Sequence, residues 1–321
     1  VAGEVITGAA KKLGRGVLVM VLVTMVVSLL MALTPGSVAE AILGQNATPE
    51  NVAALNAKLG LDKPLWQQYL SWLGNALHGD LGTSPLTGQP VSSAIAERAP
   101  VTVELAVLSL VIALALALLF AVLGATWPRG RFDRFLNALS SVLLSVPAFI
   151  AGPILVYFLS VQTGLFPVLG WAPLDEGLGA NLESAFLPAL SVALVEIASF
   201  HRLLRADLTS TLREEYIDAA RARGMSHAYV LFRHALRPSS FSLVTIFGIS
   251  LGRMIGGTVI VETLFALPGL GQLIVTSIGS RDVIMVQGVV AFTGVVYVAI
   301  NTVVDLSYGL IDPRVRRAVT A

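Results

Sequence analysis

Apolar residues gather in six unbroken runs along the chain, at about 16–34, 101–126, 136–160, 185–204, 240–261 and 286–308. Each supplies the roughly 20 residues that a helix rising 1.5 Å per residue needs to cross a hydrocarbon core of about 30 Å. Polar and apolar positions do not alternate within the runs, so they lack the two-residue period of a barrel strand. The pattern predicts an all-α integral membrane protein with six transmembrane helices. Pro147 and Pro153 fall in the third run and Pro188 in the fourth, where they predict kinks or local openings.

The segment 35–100, between the first two runs, is too long for a simple turn. Thr48-Pro49-Glu50 predicts a helix start, with a capping hydroxyl, a proline at the first helical position and an acid in the first turn. Gly60 ends that helix, with Lys58 near its negative end. Further on, Trp66, Tyr69, Leu70, Leu73 and Leu77 fall on one helical stripe. Two compatible readings follow: a helix lying at the membrane surface on aromatic anchors, or a lid over the outer mouth.

Composition agrees with the pattern. Hydrophobic residues make up 55% of the 321 and charged residues 13%, about half the charge of an average soluble domain. The chain has no cysteine, which excludes thiol chemistry and disulfides. Its four histidines (His78, His201, His227, His234) form no metal-ligand spacing, so no metal site is expected. No phosphate-binding GxxxxGK[ST] loop occurs either, so the chain holds no ATP in such a loop of its own. The first apolar run exceeds the 7–15 residues of a secretory leader and reads as a retained span.

Charge then sets the orientation. Of the 21 Lys and Arg residues, sixteen fall on one side of the predicted spans: Lys11, Lys12, Arg15, Arg129, Arg131, Arg134, seven within 202–238, and Arg314, Arg316 and Arg317. Lys58, Lys63, Arg98 and Arg281 fall on the other. The positive-inside rule places both termini in the cytoplasm and 35–100 outside.

Two charges interrupt the spans, Glu196 in the fourth and Arg253 in the fifth. Measured from the ends of the apolar runs, Glu196 lies roughly 10 Å and Arg253 roughly 20 Å from the cytoplasmic side. A direct pair would therefore need snorkelling or a broken helix, and Arg253 is expected to face an aqueous pathway. Glu196 also opens an alternative, a secondary transporter with a proton-coupling acid. Gly248, Gly252 and Gly256 form overlapping GxxxG steps, expected to seat a neighbouring helix.

The most polar stretch is the basic segment 212–236. Thr211 and Glu214 have capping-box spacing. Glu214 and Glu215 open a short helix, Arg221 and Arg223 close it, and Gly224 provides a left-handed exit. Ser226 then caps a second helix with Tyr229, Val230, Phe232 and Leu236, expected to stop before Pro238. Such short helices need a surface to pack on, either anionic lipid or a cytoplasmic protein.

EYIDAARARG, beginning at Glu215, resembles the EAA signature of ABC importer permeases, with Asp218, Ala219, Ala220 and Gly224 at its defining places. Asp218 stands where the signature has Glu, and HALRP, ending at Pro238, matches the later element loosely. LGLDKPLWQQYLSWL, GDLGTS, PVSSAIAERAPVTVELA, GGTVIVETLFALPGLGQL, RDVIMVQG and DLSYGLIDPRVR carry the resemblance from the first span to the tail. Together they are similar to B-type permeases of the dipeptide/oligopeptide/nickel family, closest to its peptide branch.

That resemblance implies an ABC importer type I permease fold in a bacterial cytoplasmic membrane. The organisation would be residues 1–34 as cytoplasmic N-terminus and first span, 35–100 as extracytoplasmic helical loop, 101–309 as permease core, and 310–321 as cytoplasmic tail. Glu215, Tyr216, Asp218, Ala219, Ala220, Arg221 and Gly224 would couple it to ATPases, the small face of Ala219 and Ala220 sinking into an ATPase groove with Asp218 at the contact. Glu196 and Arg253 are candidates for the translocation pathway, Arg253 meeting a peptide carboxylate. The implied partners are a homologous second permease, two cytoplasmic ATPases carrying ATP and Mg, an extracytoplasmic peptide-binding protein and membrane lipid, with no nucleic acid. The chain itself would bind no cofactor and catalyse no reaction. The cargo would be short peptides, or else nickel, glutathione or haem.

Overall fold

The structure, a computed structural model, describes residues 2–33, 36–126 and 130–311. Arg129, Arg314, Arg316 and Arg317 of the charge pattern lie outside the described residues. In chain order the α-helices are α1 (Ala2–Leu33), α2 (Val38–Leu43), α3 (Pro49–Leu59), α4 (Leu65–Leu77), α5 (Val91–Thr126), α6 (Arg131–Ser145) and α7 (Ala148–Val156). They continue as α8 (Leu178–Thr211), α9 (Glu215–Ala222), α10 (His227–Tyr229), α11 (Leu236–Gly257), α12 (Val259–Leu264), α13 (Leu270–Gly279) and α14 (Val283–Ile311). No strand occurs among the described residues; one isolated bridge joins Thr83 and Pro90.

Five segments are long and apolar enough to cross a membrane: Gly14–Leu33, Val91–Thr126, Leu178–Thr211, His227–Gly257 and Val283–Val304. The third expected span is different. It is the pair α6 and α7, bent by 108°. Pro147 offers no N–H to carry the ladder onward, and Val146 before it is driven to an extended conformation (φ −101°, ψ 111°). The kink or opening expected here is thus a full break, and six spans result only if the bent pair counts as one.

The chain divides into two compact units. One comprises residues up to Val103 together with Leu267–Thr302. In it Thr48 caps α3 by accepting from the Asn51 N–H at 3.3 Å, and Gly60 ends the helix at φ 69°. α4 buries Tyr69 and Trp72, while Trp66, Leu70 and Leu77 are exposed. The expected stripe is therefore rotated, because polar anchors decide the docked face. The Tyr69 hydroxyl donates to the Val21 carbonyl of α1 at 2.8 Å and lies 3.0 Å from the Thr24 hydroxyl, while Trp72 Nε1 donates to the Leu81 carbonyl at 3.2 Å.

Val91, Ala94, Ile95, Leu270, Met285 and Val289 form the apolar core of this unit. Gly288 admits Val91 where any Cβ would come within 2.5 Å of it. Two side chains lock the helix starts. Thr102 accepts from the Leu270 N–H at 2.8 Å, and Asp282 caps α14 by accepting from the Met285 N–H at 3.1 Å. Asp282 also accepts from the Ser84 hydroxyl, which ties GDLGTS to RDVIMVQG.

The other unit comprises Glu104–Ala266 and the chain from Val303 onward. α8 is its central member, burying small and apolar residues from Ala185 to Leu208 and packing on α6, α7 and α11. Gly152 lets α7 approach α12, since a Cβ there would meet Leu264 at 2.8 Å. Of the glycine steps on α11, Gly248 seats Val304 of α14, whereas nothing lies within 4 Å of a Cβ at Gly256.

Candidate functional site

The segment between α8 and α11 is built on an apolar cluster. Ile217 and Ala220 of α9 pack with Leu208 of α8 and with Val230, Leu231 and Ala235. Burying this face of an amphipathic helix is what an element of about two turns needs to persist. It also corrects an expectation, because Ala220 is 6% exposed and points into its own chain. Ala219 remains on the outer face with Glu215, Tyr216, Asp218 and Arg221. Asp218 and Arg221 form an exposed ion pair at 3.1 Å.

The ends of α9 differ from the spacing argument at one side only. Thr211 is the last residue of α8 and Glu214 caps α9 without a side-chain bond, so no capping box forms. The Thr211 hydroxyl accepts instead from Ser239 at 3.0 Å. α8 runs seven residues past the expected end at 204, which moves Thr211 out of the cap position. At the other end Gly224 has φ 78°, and Ser226 caps α10 by accepting from the Tyr229 N–H at 3.3 Å.

The second helix does not stop before Pro238. From His227 the chain stays helical to Gly257, through a π turn at Val230–Ala235. Proline deprives the carbonyl four residues earlier of its helical N–H donor. That carbonyl belongs to His234, and the Tyr216 hydroxyl donates to it at 3.2 Å. Partial desolvation, with the charge of Glu214 adding, raises the Tyr216 phenol above its ordinary value of 10.0. The hydroxyl therefore keeps its proton throughout the neutral range.

Beside this segment lies a cavity of about 530 Å³ whose wall includes Asp133, Arg205, Arg213, Arg221 and His227. α8 and α9 end near it, and cations at helix C-termini offset the partial negative charge of unpaired carbonyls. Asp133, 2% exposed, accepts a two-pronged bond from Arg205, Nε to Oδ1 and Nη2 to Oδ2, both at 2.7 Å. Sequence reasoning missed this pair, since Arg205 entered only as a unit of basic charge.

Deeper in the bundle the expected separation of Glu196 and Arg253 fails. Arg253 Nη2 donates to Glu196 Oε1 at 2.5 Å, and the Ser250 hydroxyl donates to Oε2 at 2.7 Å. Neither helix ends where its apolar run does: α8 continues to Thr211, and the helix that carries Arg253 begins at His227. The depth argument erred because apolar runs end before helices do. His201, fully buried on α8, meets the Ser140 hydroxyl at 2.6 Å and the edge of Phe120. Among the described residues no three His, Asp or Glu side chains are grouped to hold a metal ion.

Comparison with known proteins gives this arrangement a family. Residues 113–317 match the family described as binding-protein-dependent transport system inner membrane component, and residues 9–106 match its N-terminal companion. A Brucella abortus protein provisionally named a peptide transport system permease is 41% identical over 307 residues, covering 95% of this chain and 98% of its own. The oligopeptide transport system permease protein AppB of Bacillus subtilis is 37% identical, covering 80% and 83%. The glutathione transport system permease protein GsiC of Escherichia coli is 32% identical, covering 92% and 94%. In fold, the crystal structure of an amino acid ABC transporter with histidines matches 67% of this chain and 92% of that one, with a TM-score of 0.52 at 16% identity. The chain is an integral membrane protein and belongs to the inner membrane components of binding-protein-dependent transport systems.

Proposed function

We propose that the chain is one of two transmembrane subunits of an ATP-driven importer of short peptides, lying in a bacterial cytoplasmic membrane with both termini in the cytoplasm. A homologous permease completes the route, two cytoplasmic ATPases bind ATP and Mg, and an extracytoplasmic binding protein delivers the peptide. This chain binds no cofactor and performs no bond chemistry. ATPase closure moves α9, and the motion passes to α8 and α11, alternating access between the two sides. The observation that carries the reading is the construction of α9. Its inner face is buried in the apolar cluster, its outer face offers Glu215, Tyr216, Asp218, Ala219 and Arg221, and exposed Tyr229 and Phe232 adjoin it. Peptide as cargo is supported by the names of the relatives, and glutathione, a peptide-like solute, is the second reading because one relative at 32% identity is named for it. The proton-coupled alternative loses support because both Glu196 oxygens already accept hydrogen bonds.

The test replaces Asp218 by Lys in the purified complex in lipid. Reversing that charge on the docking face is expected to lower ATP hydrolysis stimulated by peptide-loaded binding protein on the order of tenfold. Undiminished stimulation would mean that α9 does not meet the ATPase.

A further inference from the structure

Arg253 stands in the last stretch of the His227–Gly257 helix, four residues before its end, with 62% of its side chain exposed, while its partner Glu196 keeps 7%. A guanidinium turned toward hydrocarbon is costly, and charged groups inside membranes face water or protein. Both Glu196 oxygens are occupied, one by Arg253 Nη2 and one by the Ser250 hydroxyl. The Ser250 oxygen in turn accepts from Nη2 at 3.3 Å. This ring grips the arginine head by one nitrogen and fixes its direction. Nε and Nη1 have no partner among the described residues. Ile249, Gly256, Gly257 and Ile260 share the exposed face, and a Cβ at either glycine would meet nothing within 4 Å. Open space therefore lies within a helical turn of the unused donors.

We infer that Arg253 receives a carboxylate of the transported solute, the C-terminal carboxylate of a peptide, an inference that rests on the import reading above. The choice of carboxylate over ammonium follows from the ring. The acid is buried with both oxygens engaged, whereas the base is exposed with two nitrogens unused, so the open side of the site presents donors. Glu196 and Ser250 act as positioning residues, and Arg253 touches the cargo. A salt-bridged carboxylate on a partner subunit would use the same donors, and the test separates the two.

The complete complex, with both permeases, both ATPases and the binding protein, is reconstituted in vesicles and given trialanine. In the double variant Glu196→Gln/Arg253→Gln both charges vanish together, so the buried acid is not left without its cation. The subunits are expected to co-purify as before, with trialanine uptake lowered on the order of tenfold, the loss of a charge-assisted hydrogen bond. Arg253→Lys, which keeps a cation beside Glu196, is expected to retain a larger share of uptake than the double variant. Wild-type uptake in the double variant would overturn the inference, because the pair would then be dispensable to transport, and so would loss of the assembled complex, which would make the pair structural. Absence of uptake by the wild-type complex would instead defeat the import reading itself.

Discussion

Asp133 is a buried carboxylate that accepts from Asn137 Nδ2 at 3.1 Å as well as from Arg205, but only the arginine balances its charge. Removing one member of a buried pair typically costs about 3–5 kcal/mol, whereas replacing both by apolar residues is near neutral. Arg205→Met should therefore lower the melting temperature of the detergent-solubilised protein sharply, and Asp133→Leu/Arg205→Met should recover most of it. A melting curve unchanged in the single variant would show that Asn137 and water suffice for Asp133. None of this was legible beforehand. Sequence spacing reveals partners three or four residues apart on one helix, and these two are separated by 72. Glu196 and Arg253 were conspicuous as charges in apolar runs, but hydropathy marks where lipid contact ends, and the helices that set their depths run on beyond it.

At the scale of elements, the local signals with a single steric cause were read correctly. Gly224 has φ 78° and open space around it, so a substitution there acts on the backbone alone. Gly224→Val should cost about 1–3 kcal/mol of strain and turn α9 off its axis. The variant should still insert, yet lose stimulation of ATP hydrolysis by loaded binding protein, while Gly224→Asn, which tolerates positive φ, should keep more of it. Equal stimulation in both variants would show that the exit angle is immaterial. Signals with two outcomes were read less fully. Pro147, expected to kink or open its helix, breaks it, and Pro238 was absorbed where a stop was expected, because a π turn precedes it and the Tyr216 hydroxyl satisfies the His234 carbonyl. A proline states which bond is missing; only the fold states what replaces it.

For the molecule as a whole, the helical class and five of the six expected crossings could be read from hydropathy, since lipid leaves so few alternatives for the backbone. Orientation is a matter for labelling. The chain has no cysteine, so single cysteines at Ser71 and Thr87, both exposed, report without background. They should react with an impermeant maleimide from outside intact cells, and reaction only after lysis would reverse the topology. The tie between Ser84 and Asp282 has a further consequence, for how the protein is made. Those residues are 198 positions apart, and the unit they hold together draws Leu267–Thr302 back to the first 103 residues. Contacts so distant in sequence close late. The first hundred residues leave the ribosome with Ser84, Val91 and Thr102 lacking the partners that complete them, and they must wait for some 180 more residues to be synthesised. A chain interrupted before α13 would thus contain most of the bundle and yet leave its first-made unit unfinished.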